Sequence, residues 1–175
     1  MGHQNVIDFW FMEVNPAQWW RRDPDFDRAV ATRFGAVHAR AVQCELFEWR
    51  AHPLGRLAEI IVLDQFSRNM YRDTPRAFAA DPLALALAQE AVAAGVAAAL
   101  EPKLRAFLYM PYMHSESRRI HEIAVGLYSE RGLEASLDSE LEHKAIIDRF
   151  GRYPHRNSIL GRVSTEEERE FLKGE

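Results

Sequence analysis

Apolar residues recur at helical spacing through most of the chain. Phe26, Val30, Phe34, Val37 and Ala41 step by three and four positions, the period of one buried helical face. Asp23-Pro24-Asp25 marks where that helix begins, a capping residue followed by the proline that suits a first helical position. The same device stands at Thr74-Pro75 and at Asp81-Pro82, and Ser164-Thr-Glu-Glu167 reads as a capping box before a short last helix. Gly95, Gly132 and Gly151 stand where a left-handed residue would close a helix. The pattern predicts helices over 5–12, 24–48, 54–70, 82–94, 102–110, 115–131, 137–150 and 165–173, with a further turn from Pro16 through Trp20. No segment alternates between hairpin turns, so the expected fold class is all-α. Short connections make consecutive helices antiparallel neighbours, either stacked hairpins or an irregular bundle. A repeat of about 34 residues, which would mark a regular helical array, is not readable in the letters.

Composition narrows the picture without naming a reaction. The 175 residues are 47% hydrophobic and 27% charged, the balance of one globular domain over 1–175. The formal net charge of -4 offers no overall basic field, so nucleic acid is not an expected partner. A lone cysteine, Cys44, cannot form an internal disulfide and suits a reducing, cytoplasmic setting. No basic neighbour in sequence would stabilise its thiolate, so it reads as a helix-packing residue rather than a nucleophile. The N-terminus lacks a targeting pattern, and position 6 is Val where myristoylation would need Ser or Thr. The alanine-rich run from Leu83 to Leu100 carries Gln89 and Glu90 at its centre, which makes it a core helix and not a membrane span.

Three segments place polar groups where helices would ordinarily place leucine. The first is the stretch 149–162, with four arginines, one histidine and no acid in an acidic protein. Gly151, Pro154 and Gly161 break it into a shaped loop able to aim guanidinium forks and backbone N–H groups at one anion. The second is Leu63-Asp-Gln-Phe-Ser-Arg-Asn69. Here Leu57, Ile61, Asp64 and Arg68 share one helical stripe, so an ion pair continues an apolar face, with Gln65 and Asn69 beside it. A buried ion pair adds little net stability, so it is either a strut at a helix end or a carboxylate holding an arginine for a ligand. The third is Tyr112-Met-His-Ser-Glu-Ser117, where Glu116 would sit in the first turn of a helix starting at Ser115. His114 is there a candidate acid or base oriented by Glu116, or else part of a capping cluster. His143 shares a helix face with Ile146, Ile147 and Phe150, the usual place of a hydrogen-bonded core histidine.

Known signatures are missing. His114 and His121 are seven apart with no His-Glu-x-x-His and no cysteine pair, so no metal is expected. No Gly-x-Ser-x-Gly elbow and no phosphate-binding glycine motif appears, so neither a nucleophilic serine nor a cofactor is expected. Trp10, Trp19, Trp20 and Trp49 read mainly as core and lid packing.

Taken in order, several motifs resemble those of a largely bacterial family known as domain of unknown function 924. They are Asp8-Phe-Trp-Phe11, Leu63-Asp-Gln-Phe-Ser-Arg-Asn-Met-Tyr71, Ala79-Ala-Asp-Pro-Leu-Ala84, His114-Ser-Glu116 and Phe150-Gly-Arg-Tyr-Pro-His-Arg-Asn-Ser-Ile-Leu-Gly-Arg162. The likeness extends through Ser164-Thr-Glu-Glu167 to Phe171-Leu172. It implies antiparallel helices in a tetratricopeptide-like, right-handed array, and it implies no activity. Ser117-Arg-Arg-Ile-His-Glu122 departs from the acidic, glutamine-containing helix expected after the histidine motif, adding positive charge at Arg118 and Arg119.

Two functions follow as expectations. One is a pocket for a small phosphate- or carboxylate-bearing molecule. In it His114, Glu116 and Asp64 are the candidate catalytic groups, and Gln65, Arg68, Asn69, His143, Arg152, His155, Arg156 and Asn157 are the candidate binding groups. The other is a non-catalytic array that holds an acidic peptide or a C-terminal carboxylate along its concave face. Whether the protein is an enzyme stays open between them, with internal struts as the plainest alternative.

Overall fold

The wide turns and caps of this chain can be traced to particular residues in a computed structural model that describes residues 1–174. Among the described residues there are nine α-helices and no strand. The first, α1 (His3–Asp8), runs into a π turn over Phe9–Glu13. Helix α2 (Pro24–Val42) starts under Asp23, whose carboxylate accepts the N–H groups of Asp25 and Phe26 at 3.0 and 3.2 Å. Helix α3 (Pro53–Ile61), a second π turn (Val62–Phe66) and α4 (Ser67–Met70) follow one another without a break. Then come α5 (Asp81–Ala93), α6 (Pro102–Met113), α7 (Arg118–Tyr128), α8 (Glu134–Phe150) and α9 (Glu166–Phe171).

Helix α1 packs on α3, and α2 packs on the second π turn and α4. Helices α5, α6, α7 and α8 pack each on the next. The first half is held by aromatic rings: Phe34 lies 4.7 Å from Phe66 and 4.9 Å from Phe9, and Trp10 meets Phe66 edge-on at 5.5 Å. Such pairs add about 1 kcal/mol each beyond the area they bury. A side-chain carbon at Gly55 would collide with the Trp49 carbonyl, so only glycine lets the segment before α3 lie this close.

Phe66 anchors the second π turn in that aromatic core, and two residues earlier Asp64 is directed the opposite way, toward α6. The wide turn loosens backbone pairing, and side chains meet its carbonyls. Ser67 Oγ donates to Leu63 O at 2.6 Å and Arg68 Nη1 to Asp64 O at 2.7 Å. Because the single Ser67 hydroxyl proton is used there, the buried His38 must donate from Nε2 to Ser67 Oγ, 2.7 Å away.

Several local expectations need correcting. Helix α2 ends at Val42, and Cys44 sits exposed in a left-handed conformation with φ 58°, turning the chain instead of packing a helix. Asp81 opens α5 but caps nothing, since its carboxylate goes to arginines elsewhere. The last capping box is Thr165 with Glu168, one residue beyond the expected pair. Helix α7 begins at Arg118, so Glu116 lies before it and complements no helix dipole. Gly95, Gly132 and Gly151 do adopt positive φ, and Gly151 closes α8 at φ 70°.

Candidate functional site

Helix α6 ends at His114, which the chain brings against the π turn of Val62–Phe66. His114 Nδ1 lies 2.7 Å from Asp64 Oδ1, and Asp64 also receives Gln65 Nε2 at 2.6 Å and Arg68 Nη1 at 3.0 Å. The Asp64 side chain is 1% exposed and that of His114 16%. Burial alone would push the Asp64 carboxyl upward, but the charge of Arg68 and the hydrogen bonds from His114 and Gln65 outweigh it and hold it far below the usual carboxylate range. An ionised carboxylate only accepts, so the proton in this contact belongs to His114 Nδ1. Burial and the charge of Arg68 lower the His114 pKa against the pull of Asp64, which leaves the ring neutral at physiological pH. The outer nitrogen, Nε2, therefore carries a lone pair, and it has no hydrogen-bond partner among the described residues.

Four recesses share His114 as a wall. One of about 280 Å³ is mainly basic, bordered by Arg68, Arg72, Arg156, His143 and His155 with Asp73 as its one acid. One of about 240 Å³ is bordered by Trp20, Arg21, Gln65, Arg68, Asn69 and Arg72. The largest, about 510 Å³, lies against Met110, Met113, Tyr128 and the small residues of α8. His143 stands between the first and the third, its Nδ1 donating to Ser139 O at 2.7 Å and its ring packed on Tyr153.

The arginines around this centre are held by acids from distant segments. Arg68 grips Asp81 with both Nη atoms at 3.0 Å. Arg156, 7% exposed, donates to Asp81 Oδ2 at 3.3 Å and to His114 O at 3.0 Å, between the rings of Phe78 and Tyr153. Its Nε is buried without a partner among the described residues. Arg72 grips Asp27 at 2.6 and 2.8 Å, and Asn69 joins the same carboxylate at 2.7 Å.

The 149–162 loop forms a separate clasp. Arg152 grips Glu168 at 2.6 and 2.8 Å, and Asn157 Nδ2 adds a bond to Glu168 Oε2 at 3.3 Å. Arg162 grips Glu116 at 2.7 and 2.9 Å, and Tyr153 N–H donates to Glu116 Oε1 at 2.7 Å. Burial would raise the Glu116 pKa, yet Arg162 and that N–H hold it below its ordinary value. Arg149 pairs with Glu167. Tyr153 Oη donates to Met113 O at 2.5 Å while Arg156 donates to His114 O. Two side chains of the loop thus cap the last carbonyls of α6, the helix end that carries His114.

Of the residues expected from sequence, the structure gathers Asp64, Gln65, Arg68, Asn69, His114, His143 and Arg156 at the recesses, with His155 exposed at a rim. It does not bring Arg152 or Asn157 there, because Glu168 holds both. Glu116 borders the fourth recess, of about 360 Å³, together with His114, Asp81 and Arg156, but its carboxylate is held by Arg162 and Tyr153 N–H, and the partner that orients His114 is Asp64. Sequence reading missed Asp81, Tyr153 and Arg162 as members of this framework, and Trp20, Met110 and Met113 as walls. Asp81 lies in the 79–84 motif, where its place before Pro82 reads as a helix cap rather than as an acid for two arginines. No group of three or more His, Cys, Asp or Glu able to hold a metal ion occurs among the described residues, and none of their helices is long and apolar enough to cross a membrane.

A family model described as a bacterial protein of unknown function, DUF924, matches residues 6–175. A solved structure of a protein of unknown function from Agrobacterium tumefaciens is similar at 38% identity, covering 99% of this chain and 97% of that one, with a TM-score of 0.93. No curated protein matches.

Proposed function

The chain belongs to the bacterial family of unknown function DUF924, a membership that names no activity, and from its geometry we propose a small-molecule site centred on His114. The recesses bind a phosphate- or carboxylate-bearing molecule, and His114 Nε2 is the group that accepts a proton from it or from a water beside it. One observation carries this reading: an imidazole held at Nδ1 by a buried carboxylate, with its other nitrogen without a hydrogen-bond partner among the described residues, lines recesses bordered by arginines. Asp64 is the orienting group, since it sets the tautomer and steadies the charge if the ring is protonated. Arg68, Arg156 and Arg72 spend most of their donors on Asp64, Asp81 and Asp27, so Arg21, which has no acid partner among the described residues, is the most available cation for an anion.

The test is a thermal-shift panel of phosphorylated and carboxylated metabolites, followed by turnover assays on every compound that stabilises the protein. Binders are expected, with a smaller shift in Arg21→Ala. His114→Asn, which keeps a donor for Asp64 but lacks the outer nitrogen, is expected to bind and not to turn over. If no anion stabilises the protein at millimolar concentration, the proposal fails.

A further inference from the structure

We infer that the molecule bound at His114 carries an apolar body of more than one ring or its equivalent in chain, seated in the recess between α6 and α8, beside its anionic group. This rests on the anion site proposed above and specifies what kind of anion it takes.

The two sides of His114 differ in chemistry. The basic side has three arginines in its lining, each paired with an acid. The recess on the other side is lined by Trp20, Met110, Met113, Tyr128, Ala135, Ser136 and Ser139 together with His114 and His143, and none of these is a carboxylate, lysine or arginine. Two of its three hydroxyls already donate to backbone carbonyls. Tyr128 Oη donates to Ala106 O at 3.1 Å, and Ser139 Oγ donates back to Ala135 O at 3.3 Å within α8. Met110 Sδ accepts Gln65 Nε2 at 3.0 Å, which ties this wall to the amide that also holds Asp64. The opposite wall, Ala135, Ser136 and Ser139, is built of small residues, and that leaves the space open. Methionine pairs of this kind adapt to flat or irregular apolar groups.

Size decides between a methyl-sized group and a larger one. A cavity of about 150 Å³ takes a benzene ring. The recess here has about 510 Å³ and falls within the ordinary range of ligand pockets. Trp20, 68% exposed, lines both this recess and the one that holds Arg21 and Arg72. Its indole packs parallel to the Phe107 ring at 6.1 Å. An exposed tryptophan shared by an apolar and a cationic recess suits a ligand that lies across both.

The experiment is calorimetric titration of the full chain with two matched series, phosphate against 1-naphthyl phosphate and acetate against 1-naphthoate, with neutral 1-naphthol as control. In at least one series the naphthyl member is expected to bind at least about thirtyfold more tightly than its small parent, given the apolar area removed from water. Naphthol should bind more weakly than the better naphthyl anion. Ala135→Phe and Ser139→Phe, at exposed positions of α8 that edge the recess, should each return the naphthyl anion to the affinity of its parent. If small and naphthyl anions bind alike, or if the gain survives both substitutions, this inference is overturned while the anion site stands. Naphthol binding as tightly as the naphthyl anions also overturns it. If no anion in either series binds, the reading of the site itself fails.

Discussion

The 149–162 loop and the Asp64–His114 centre are both dense in charge, and they differ in what is left over. In the loop every guanidinium has its carboxylate: Arg149 with Glu167, Arg152 with Glu168, Arg156 with Asp81 and Arg162 with Glu116. At the centre three donors converge on one buried acid, and one nitrogen of the histidine remains unspent. The first arrangement closes on itself and holds helix ends together. The second is equally well braced but open on one side. A run of arginines therefore says little about a ligand until its acids are located, whereas a braced histidine with a free nitrogen is chemically available.

The contrast breaks most sharply at Asp64. Asp64→Ala takes one of two carboxylates from Arg68, which keeps Asp81, and unties His114 and Gln65, and unfolding in urea is expected to show a loss of about 3 kcal/mol together with loss of ligand response. Glu168→Gln should cost less, about 2 kcal/mol, because it weakens a clasp that still keeps hydrogen bonds. Its thermal shift with ligand should match that of the parent, and a lost response would mean that the loop belongs to the site. Thr165→Ala removes only the hydroxyl cap of α9, for about 1 kcal/mol, again with ligand response intact.

Acid separates the two regions by pH rather than by size. His114 has a folded pKa below its ordinary 6.5, so the unfolded chain binds more protons between the two values and stability falls as pH drops below 6.5. Glu168 is held at about 2 against an ordinary 4.5, chiefly by the Arg152 hydrogen bonds, so its contribution is complete above 4.5 and is lost as pH falls toward 2. Urea midpoints across pH should show the near-neutral slope flattened in His114→Asn and the acid slope flattened in Glu168→Gln. Equal slopes in all three proteins would remove the assignment.

Much of the helical frame was legible because it rests on local signals. The 3.6-residue period placed α2, and Gly95 and Gly151 ended helices for want of a β-carbon at positive φ. The π turn was not legible, since shifting a hydrogen bond by one residue leaves no mark in the letters, yet that turn is what separates Phe66 from Asp64. The ion pair on the Leu57–Ile61 stripe did betray Asp64 and Arg68. The partners of the loop arginines did not show: Glu168 is 16 residues from Arg152, Glu116 is 46 from Arg162, and Asp81 is 75 from Arg156. Charge composition reports how many such groups exist, and only the packing reports which of them cancel.

The central claim concerns one ring and can be read from it directly by ¹⁵N–¹H correlation of the His114 imidazole across a pH titration, with and without the best anion from the binding panel. The account predicts a neutral ring near pH 7 with its proton on Nδ1, protonation of Nε2 only below pH 6.5, and a ligand-dependent shift at Nε2 while the Arg152 side-chain resonance stays still. A ring that is already charged at neutral pH, or a proton found on Nε2 there, would contradict it.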